Sequence, residues 1–420
     1  MGTGPPLLTE AEIHALLSQR LERLPLQDRR VLLLVPDGTR TAPLPLLFRH
    51  LRALLADLVQ ALDVLIALGT HPPMSEAAIR RHLGLEAGSR SGRGARLRVF
   101  NHRWDDPETF VNVGRLAEGE LHTLSGGRLR REVPITVNRR LFDYDHLIVC
   151  GPVFPHEVVG FSGGTKYFVP GVAGQEIIDV THWLGALLTT RAVIGRRETP
   201  VRRLIDRAVA FVDVPTTYCN LVVSRAGVHG LTVGAYPETW AEAVGLSSRL
   251  HIRTVERRFR RVLSVMPRMY DDLWTAAKGM YKVESVVEDG GEVIIYAPHI
   301  EELSYTHGKI LDEIGYHVRD YFVKQWERFR RYPWGVLAHS THVRGAGTYD
   351  AVTGVEQSRI RVTLATGILR ARCERVNLGY RDPATLDPAD WVGREEEGLL
   401  LVSHAGEQLY RLAEAEKEER

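Results

Sequence analysis

Arg30-Val-Leu-Leu-Leu-Val-Pro-Asp-Gly-Thr-Arg40 is an unbroken apolar run that stops abruptly in a polar loop. A strand with no hydrophobic alternation is one covered on both faces, the usual state of a strand in a parallel sheet. The pattern recurs. Asp63-Val-Leu-Ile-Ala-Leu68 runs into Gly69-Thr-His71-Pro-Pro-Met74, Leu97 to Phe100 into Asn101-His102, and Leu147 to Cys150 into a long polar loop. Helical spacing fills the gaps: Thr9 as N-cap of a helix with Ile13, Leu16, Leu17 and Leu24 on one face, a helix around Leu46 to Ala61, and Ser75 capping a helix through His82. Strand and helix in alternation predict an α/β fold with mostly parallel sheets. Ligands of such sheets sit at the carboxyl ends of the strands, and these ends carry Asp37, Thr39, Arg40, His71, Asn101, His102 and His156.

The loop after the fourth strand is the richest in chemistry. Gly151 to Trp183 reads GPVFPHEVVGFSGGTKYFVPGVAGQEIIDVTHW, with His156, Lys166 and His182 separated by the glycine-dense turn Gly160-Phe-Ser-Gly-Gly-Thr-Lys166 and followed by a helix from Gly174 to Leu184. Backbone N–H groups at such a turn approach anions closely. It is not an ATP-binding P-loop, because the order is Thr165-Lys166 rather than Lys before the hydroxyl residue. Of the 54 basic residues only six are lysines, and two of these sit in short motifs, SGGTK and Ala276-Ala-Lys-Gly279. Lysine can act as an amine nucleophile where arginine cannot, so Lys166 and Lys278 are candidates for chemistry. His71 and His156 suit an acid–base pair. His182 suits a metal ligand, with the remaining donors supplied by an organic cofactor.

The length of 420 residues predicts two domains. The first is expected over 1–258 and the second over 262–390. The charged run Arg253 to Arg261 is a candidate hinge, and a closing segment of about 397–420, including a charged helix, is expected to pack back on the first domain. In the second domain the spacing predicts helices over Asp271 to Glu288 and Tyr321 to Arg331, and strands at Val262 to Met266 and Gly290 to Tyr296. A net charge of +2 argues against nucleic acid or an anionic membrane as partner. Three dispersed cysteines without a CxxC pair, no apolar run of spanning length and no signal segment after Met1 predict a cytoplasmic protein.

Pro36-Asp-Gly-Thr-Arg40, Gly69-Thr-His-Pro-Pro-Met74, the run from Pro155 to Lys166, Ala276-Ala-Lys-Gly-Met280 and the closing Ser403-His-Ala-Gly406 together resemble the nickel-dependent lactate racemase family. The resemblance covers most of the chain. It implies racemisation or epimerisation of a small 2-hydroxy acid by hydride transfer, with cofactor and active site in the interdomain cleft. The implied cofactor is nickel in a pyridinium-3,5-bis-thiocarboxylic acid mononucleotide, supplied by cofactor-synthesis enzymes. By the same resemblance His182 binds the metal and Lys166 can be joined to the cofactor. His71 and His156 are the acid and base. Asp37, Thr39, Arg40, Ser162, Gly163 and Gly164 hold the nucleotide, and Arg40 and Lys278 hold the substrate. Trp274 and Thr275 stand where the lactate enzymes have tyrosine and glutamine, and Trp326 is matched to a substrate-side tryptophan. These departures surround the substrate, so an acid larger than lactate is expected. Two competing readings are a non-catalytic carrier of the nickel cofactor, which needs His182 and Lys166 but not both His71 and His156, and another metal-dependent lyase on a related scaffold.

Overall fold

Val31 to Val35 are all buried in the strand Arg30–Pro36, as a run covered on both faces requires. The computed structural model describes residues 5–85 and 97–413. It divides into two units, Met1–Phe154 with Phe161–Ile178 and Arg202–Leu250, and Pro155–Gly160 with Asp179–Val201 and His251–Arg420.

In the first unit Arg30–Pro36 is central to a six-stranded sheet. The order is Gly227–Gly234, Thr216–Ser224, His146–Pro152, Arg30–Pro36, Ala61–Ala67, Val99–Asn101. Every neighbouring pair is parallel except the outermost, Gly227–Gly234 with Thr216–Ser224. Parallel neighbours end at the same edge, which gathers the loops after Pro36, Ala67, Asn101 and Pro152. The first helix, Glu10–Leu21, starts with a capping box in which Thr9 and Glu12 satisfy each other's backbone N–H. Ser75 caps Glu76–Leu83, which stops at Gly84 in the left-handed conformation. The second helix is Leu44–Leu55, shorter than its apolar pattern, because the chain turns at 56–60 to enter the strand Ala61–Ala67. Asp63, fully buried on that strand, accepts hydrogen bonds from Arg98 and the Tyr144 hydroxyl, as a buried carboxylate must.

The second unit is built on a five-stranded parallel sheet of order Gly379–Tyr380, Arg361–Thr366, Val287–Ala297, Phe259–Val265, Leu399–Val402. Several expectations are corrected here. The closing run expected on the first domain is this sheet's edge strand, Leu399–Val402. Arg253 to Arg261 is not a loop hinge: Ile252–Val255 pairs with Leu409–Leu412, and Phe259–Val265 enters the sheet. The expected helix over 271–288 breaks into Leu273–Ala276, Lys278–Tyr281 and a 3-10 turn before the strand, and the one over 321–331 into Arg319–Val323 and Trp326–Phe329. The boundary expected near 258–262 also misses that Pro155–Gly160 and Asp179–Val201 group with the C-terminal unit. Residues 414–420 of the expected closing charged helix lie outside the described residues. No described helix is long and apolar enough to cross a membrane.

Candidate functional site

In the first unit the loops after two adjacent parallel strands bring Asp37 and His71 together. His71 Nδ1 donates to Asp37 Oδ2 at 2.5 Å, and the Thr39 hydroxyl donates to Asp37 Oδ1 at 2.7 Å. Burial pushes the Asp37 carboxyl up most. The charge and hydrogen bond of His71, the Thr39 hydroxyl and Arg40 nonetheless hold it well below the usual carboxylate range. An ionised partner on Nδ1 fixes the ring and leaves Nε2 as the accepting nitrogen. The His71 loop is pinned from behind. Trp104 Nε1 donates to the His71 carbonyl at 2.9 Å, and the Asn101 side chain bonds both the N–H and the carbonyl of Met74. Asn101 thus positions a loop. His102 is structural: fully buried, it sits between the Ala173 carbonyl and the Asn138 amide.

The glycine turn is stiff for reasons internal to the first unit. Gly163 and Gly164 have φ of +79° and +57°. A Cβ on Gly163 would lie 2.6 Å from Val153, and one on Gly164 2.9 Å from Tyr236. Ser162 Oγ donates to the Pro152 carbonyl and accepts from Phe154 N–H, and Thr165 Oγ1 donates to Asp206 at 2.6 Å. Arg202, buried beneath, donates to Thr165 Oγ1 and to the Phe161 carbonyl and lies 4.3 Å from the Trp240 ring. Trp240 Nε1 closes the clamp on the Ser162 carbonyl. Ser162 and Thr165 therefore serve the turn itself, which delivers the half-buried Lys166. Arg202, Asp206 and Trp240 are positioning residues that lie too far along the chain to be read from the motif.

The second unit collects the other candidates. Val158 N–H donates to His156 Nδ1 at 3.2 Å, so the proton of the neutral ring sits on Nε2. The Glu157 carboxylate lies 3.3 Å from the same nitrogen. His182 is half-buried on the helix Gln175–Leu188. Its neighbour Trp183 stacks on Trp326 at 5.2 Å between ring centroids. Trp326 thus packs on the residue that follows His182 in the chain. Lys278 is buried, with Nζ donating to the Thr275 carbonyl at 2.9 Å and lying 4.7 Å from the Tyr270 ring. Thr275, expected to leave room for substrate, spends its hydroxyl on Asp272, which also caps its N–H. Trp274 stacks on His339 at 4.0 Å, with His307 on another side at 4.7 Å.

His339 and His342 were not foreseen. They lie on the helix Trp334–Arg344, whose start is capped by Asp179 accepting from Gly335 N–H at 2.8 Å. Burial, then His342, His307, Lys278 and His182, push the His339 imidazole well below its ordinary value. Burial takes His342 down to about 4, against Glu157 and with His182. The readable signal was the i, i+3 pair in Ala338-His-Ser-Thr-His342. Among the described residues no group of three or more His, Cys, Asp or Glu is arranged to hold a metal.

The model for the lactate racemase N-terminal domain matches residues 8–195. Lactate racemase of Lactiplantibacillus plantarum is 27% identical over 169 residues, 39% of this chain and 35% of that protein. Lactate racemase of Thermoanaerobacterium thermosaccharolyticum is 24% identical over 288 residues, 67% of this chain and 62% of that protein. The matched stretches thus span about a third and somewhat under two thirds of those relatives. Among solved structures, a Thermotoga maritima protein superposes with a TM-score of 0.90 at 34% identity, over 98% of this chain and 100% of that one. The lactate racemase apoprotein of Thermoanaerobacterium thermosaccharolyticum superposes at 0.69 and 17% identity, over 95% and 93%, a likeness of fold alone. The matched N-terminal stretch contains the Asp37–His71 couple, the Lys166 turn, His156 and His182, so residues 8–195 belong with the lactate racemase N-terminal domains.

Proposed function

We propose that this chain racemises or epimerises a 2-hydroxy acid with a nickel-pincer pyridinium mononucleotide, His182 ligating the nickel and Lys166 available for attachment. The residues fit such a group: one half-buried imidazole for a metal whose other donors are organic, and an amine on a rigid glycine turn. Bound, the group supplies hydride-transfer chemistry at the substrate's C2.

The chain's own part is proton handling and positioning. Removing C2–H as a proton beside a carboxylate is unfavourable, so the useful step for a base is on the hydroxyl. His71, held by ionised Asp37 with Nε2 accepting, takes that proton as C2 becomes carbonyl. His156, with Nε2 as its exchanging nitrogen, enters this step as the imidazolium and becomes neutral as it returns a proton to the oxygen when C2 is reduced on the other face. The roles exchange for the opposite enantiomer. Lys278 and Arg40 grip the carboxylate and oxygen through charge-assisted hydrogen bonds. The Asp37–His71 couple carries this reading, because a carboxylate this strongly held below its usual range beside an imidazole is what orients a general base.

The test uses protein co-produced with the cofactor-synthesis enzymes. Nickel content and intact mass are measured, single enantiomers of several 2-hydroxy acids are added, and chiral chromatography follows. Loss of optical purity is expected, slowed about 10²–10⁴-fold in His71→Ala and His156→Ala. Nickel-loaded protein that leaves every acid unchanged overturns the reading.

A further inference from the structure

Two imidazoles in the second unit have no assigned task. His339 and His342 lie one helical turn apart on one face of Trp334–Arg344. Each is more than nine-tenths buried, and each has an Nε2 with no hydrogen-bond partner. An unmade buried hydrogen bond costs about 1–3 kcal/mol, so two on one helix face ask for an occupant.

Their surroundings define its chemistry. His339 is held flat against Trp274 and edge-on to Tyr316. His342 accepts from or donates to Thr190 Oγ1 through Nδ1 at 2.7 Å and lines a cavity of about 210 Å³ with Thr190, Thr341 and Arg319. Lys278 and His182 are within electrostatic reach of His339, and His182 of His342. The pair thus adjoins the residues assigned to the substrate's carboxylate and to the metal.

We propose that His339 and His342 hold the tail of the substrate, and that this tail is polyhydroxylated, so that the enzyme's substrate is a sugar-acid-like 2-hydroxy acid. This rests on the reaction proposed above and adds to it the substrate class. Burial keeps both rings neutral at pH 7. A neutral imidazole offers one donor and one acceptor, the same pair a hydroxyl offers. An alkyl chain would leave both unmet. The Trp274 ring provides an apolar face for the C–H groups between hydroxyls. A site built to bond a hydroxyl discriminates strongly against the analogue that lacks it, by as much as about 10⁴–10⁵.

The test compares gluconate with 2-hydroxyhexanoate, equal in length and differing only in hydroxyls, on nickel-loaded protein. Both kcat/KM and calorimetric affinity are measured for wild type, His339→Phe and His342→Leu. The expected result is a preference for gluconate of at least about 10²-fold, reduced roughly tenfold or more in each variant, since about 1.4 kcal/mol is tenfold. The thermal midpoint should hold or rise in the variants, because an orphaned polar atom is removed. Equal or better use of 2-hydroxyhexanoate by wild type overturns the proposal, as does an unchanged ratio in both variants. If a variant does not fold, the wild-type comparison still decides. If loaded protein turns over no 2-hydroxy acid, the proposed reaction fails, while calorimetric discrimination between the two acids still decides the tail site.

Discussion

In the proposed reaction a single imidazole, His182, holds the metal, and its removal separates chemistry from folding. The residue is half-buried on a helix whose neighbouring positions Thr181, Trp183 and Leu184 are buried. His182→Ala should therefore change stability by no more than about 1 kcal/mol. Loss of one outer partner of a metal ligand already costs about 10–100-fold in affinity, so loss of the ligand should cost at least as much. Nickel per chain, measured beside circular dichroism, should fall at least about tenfold in a folded variant; full retention would sink the assignment. At the same scale Asp37→Asn should keep the His71 loop, pinned independently through Trp104 and Asn101, yet remove the charge that fixes the tautomer. Activity should drop at unchanged cofactor loading, and an Asp37→Asn enzyme as fast as wild type would show that the carboxylate does not orient the base.

At the scale of elements, the parallel sheet of the first unit was legible because continuous apolar runs and capped helices are local signals. Thr9, Ser75 and the strand Arg30–Pro36 sit where their chemistry placed them. The second unit was harder to read. Its helices at 273–281 and 319–329 are interrupted, and periodicity does not register where one short helical turn stops and the next begins. The run Arg253 to Arg261 reads as a hinge because the exposed arginines of two strand ends and the bend between them look like a solvated linker. His339 and His342 were missed because burial is a tertiary property: Trp274, sixty-five positions away, covers one ring. The glycine turn was legible as glycine-dependent but not as clamped. Gly163→Ala should be costly, since it combines a positive φ with an approach of 2.6 Å to Val153. A destabilisation of about 1–3 kcal/mol is expected from strain and overpacking, read as a lowered urea midpoint, with Lys166 displaced and its mass adduct reduced. A Gly163→Ala protein of wild-type stability and loading would show that the turn tolerates a side chain.

For the molecule as a whole, buried neutral histidines set the response to acid. His102 in the first unit is taken down to about 4, chiefly by burial and against its bond to the Ala173 carbonyl and the charge of Asp105; His342 in the second unit is also taken to about 4. The ordinary imidazole value is 6.5 in both cases. Between these values the unfolded chain binds protons that the folded chain refuses, so stability is full above pH 6.5, falls as pH drops toward 4, and levels below it. Each ring accounts for about 3 kcal/mol over that window. The Asp145 and Asp37 carboxylates act later and with the same sign on acidification. Asp145, held at about 2 by its hydrogen bonds to Arg30, contributes stability above its ordinary 3.8 that is lost only as pH falls through the window below it. Asp37, also held low, behaves alike. Both units should therefore weaken first in the histidine window, before Asp37 and Asp145 are protonated. Urea midpoints measured from pH 7.5 to 4 should be flat at the top and then fall steadily. His102→Gln, which does not titrate, should show a shallower fall than wild type. A midpoint unchanged down to pH 4.5, or a His102→Gln slope equal to that of wild type, would mean that these rings are not held neutral by burial.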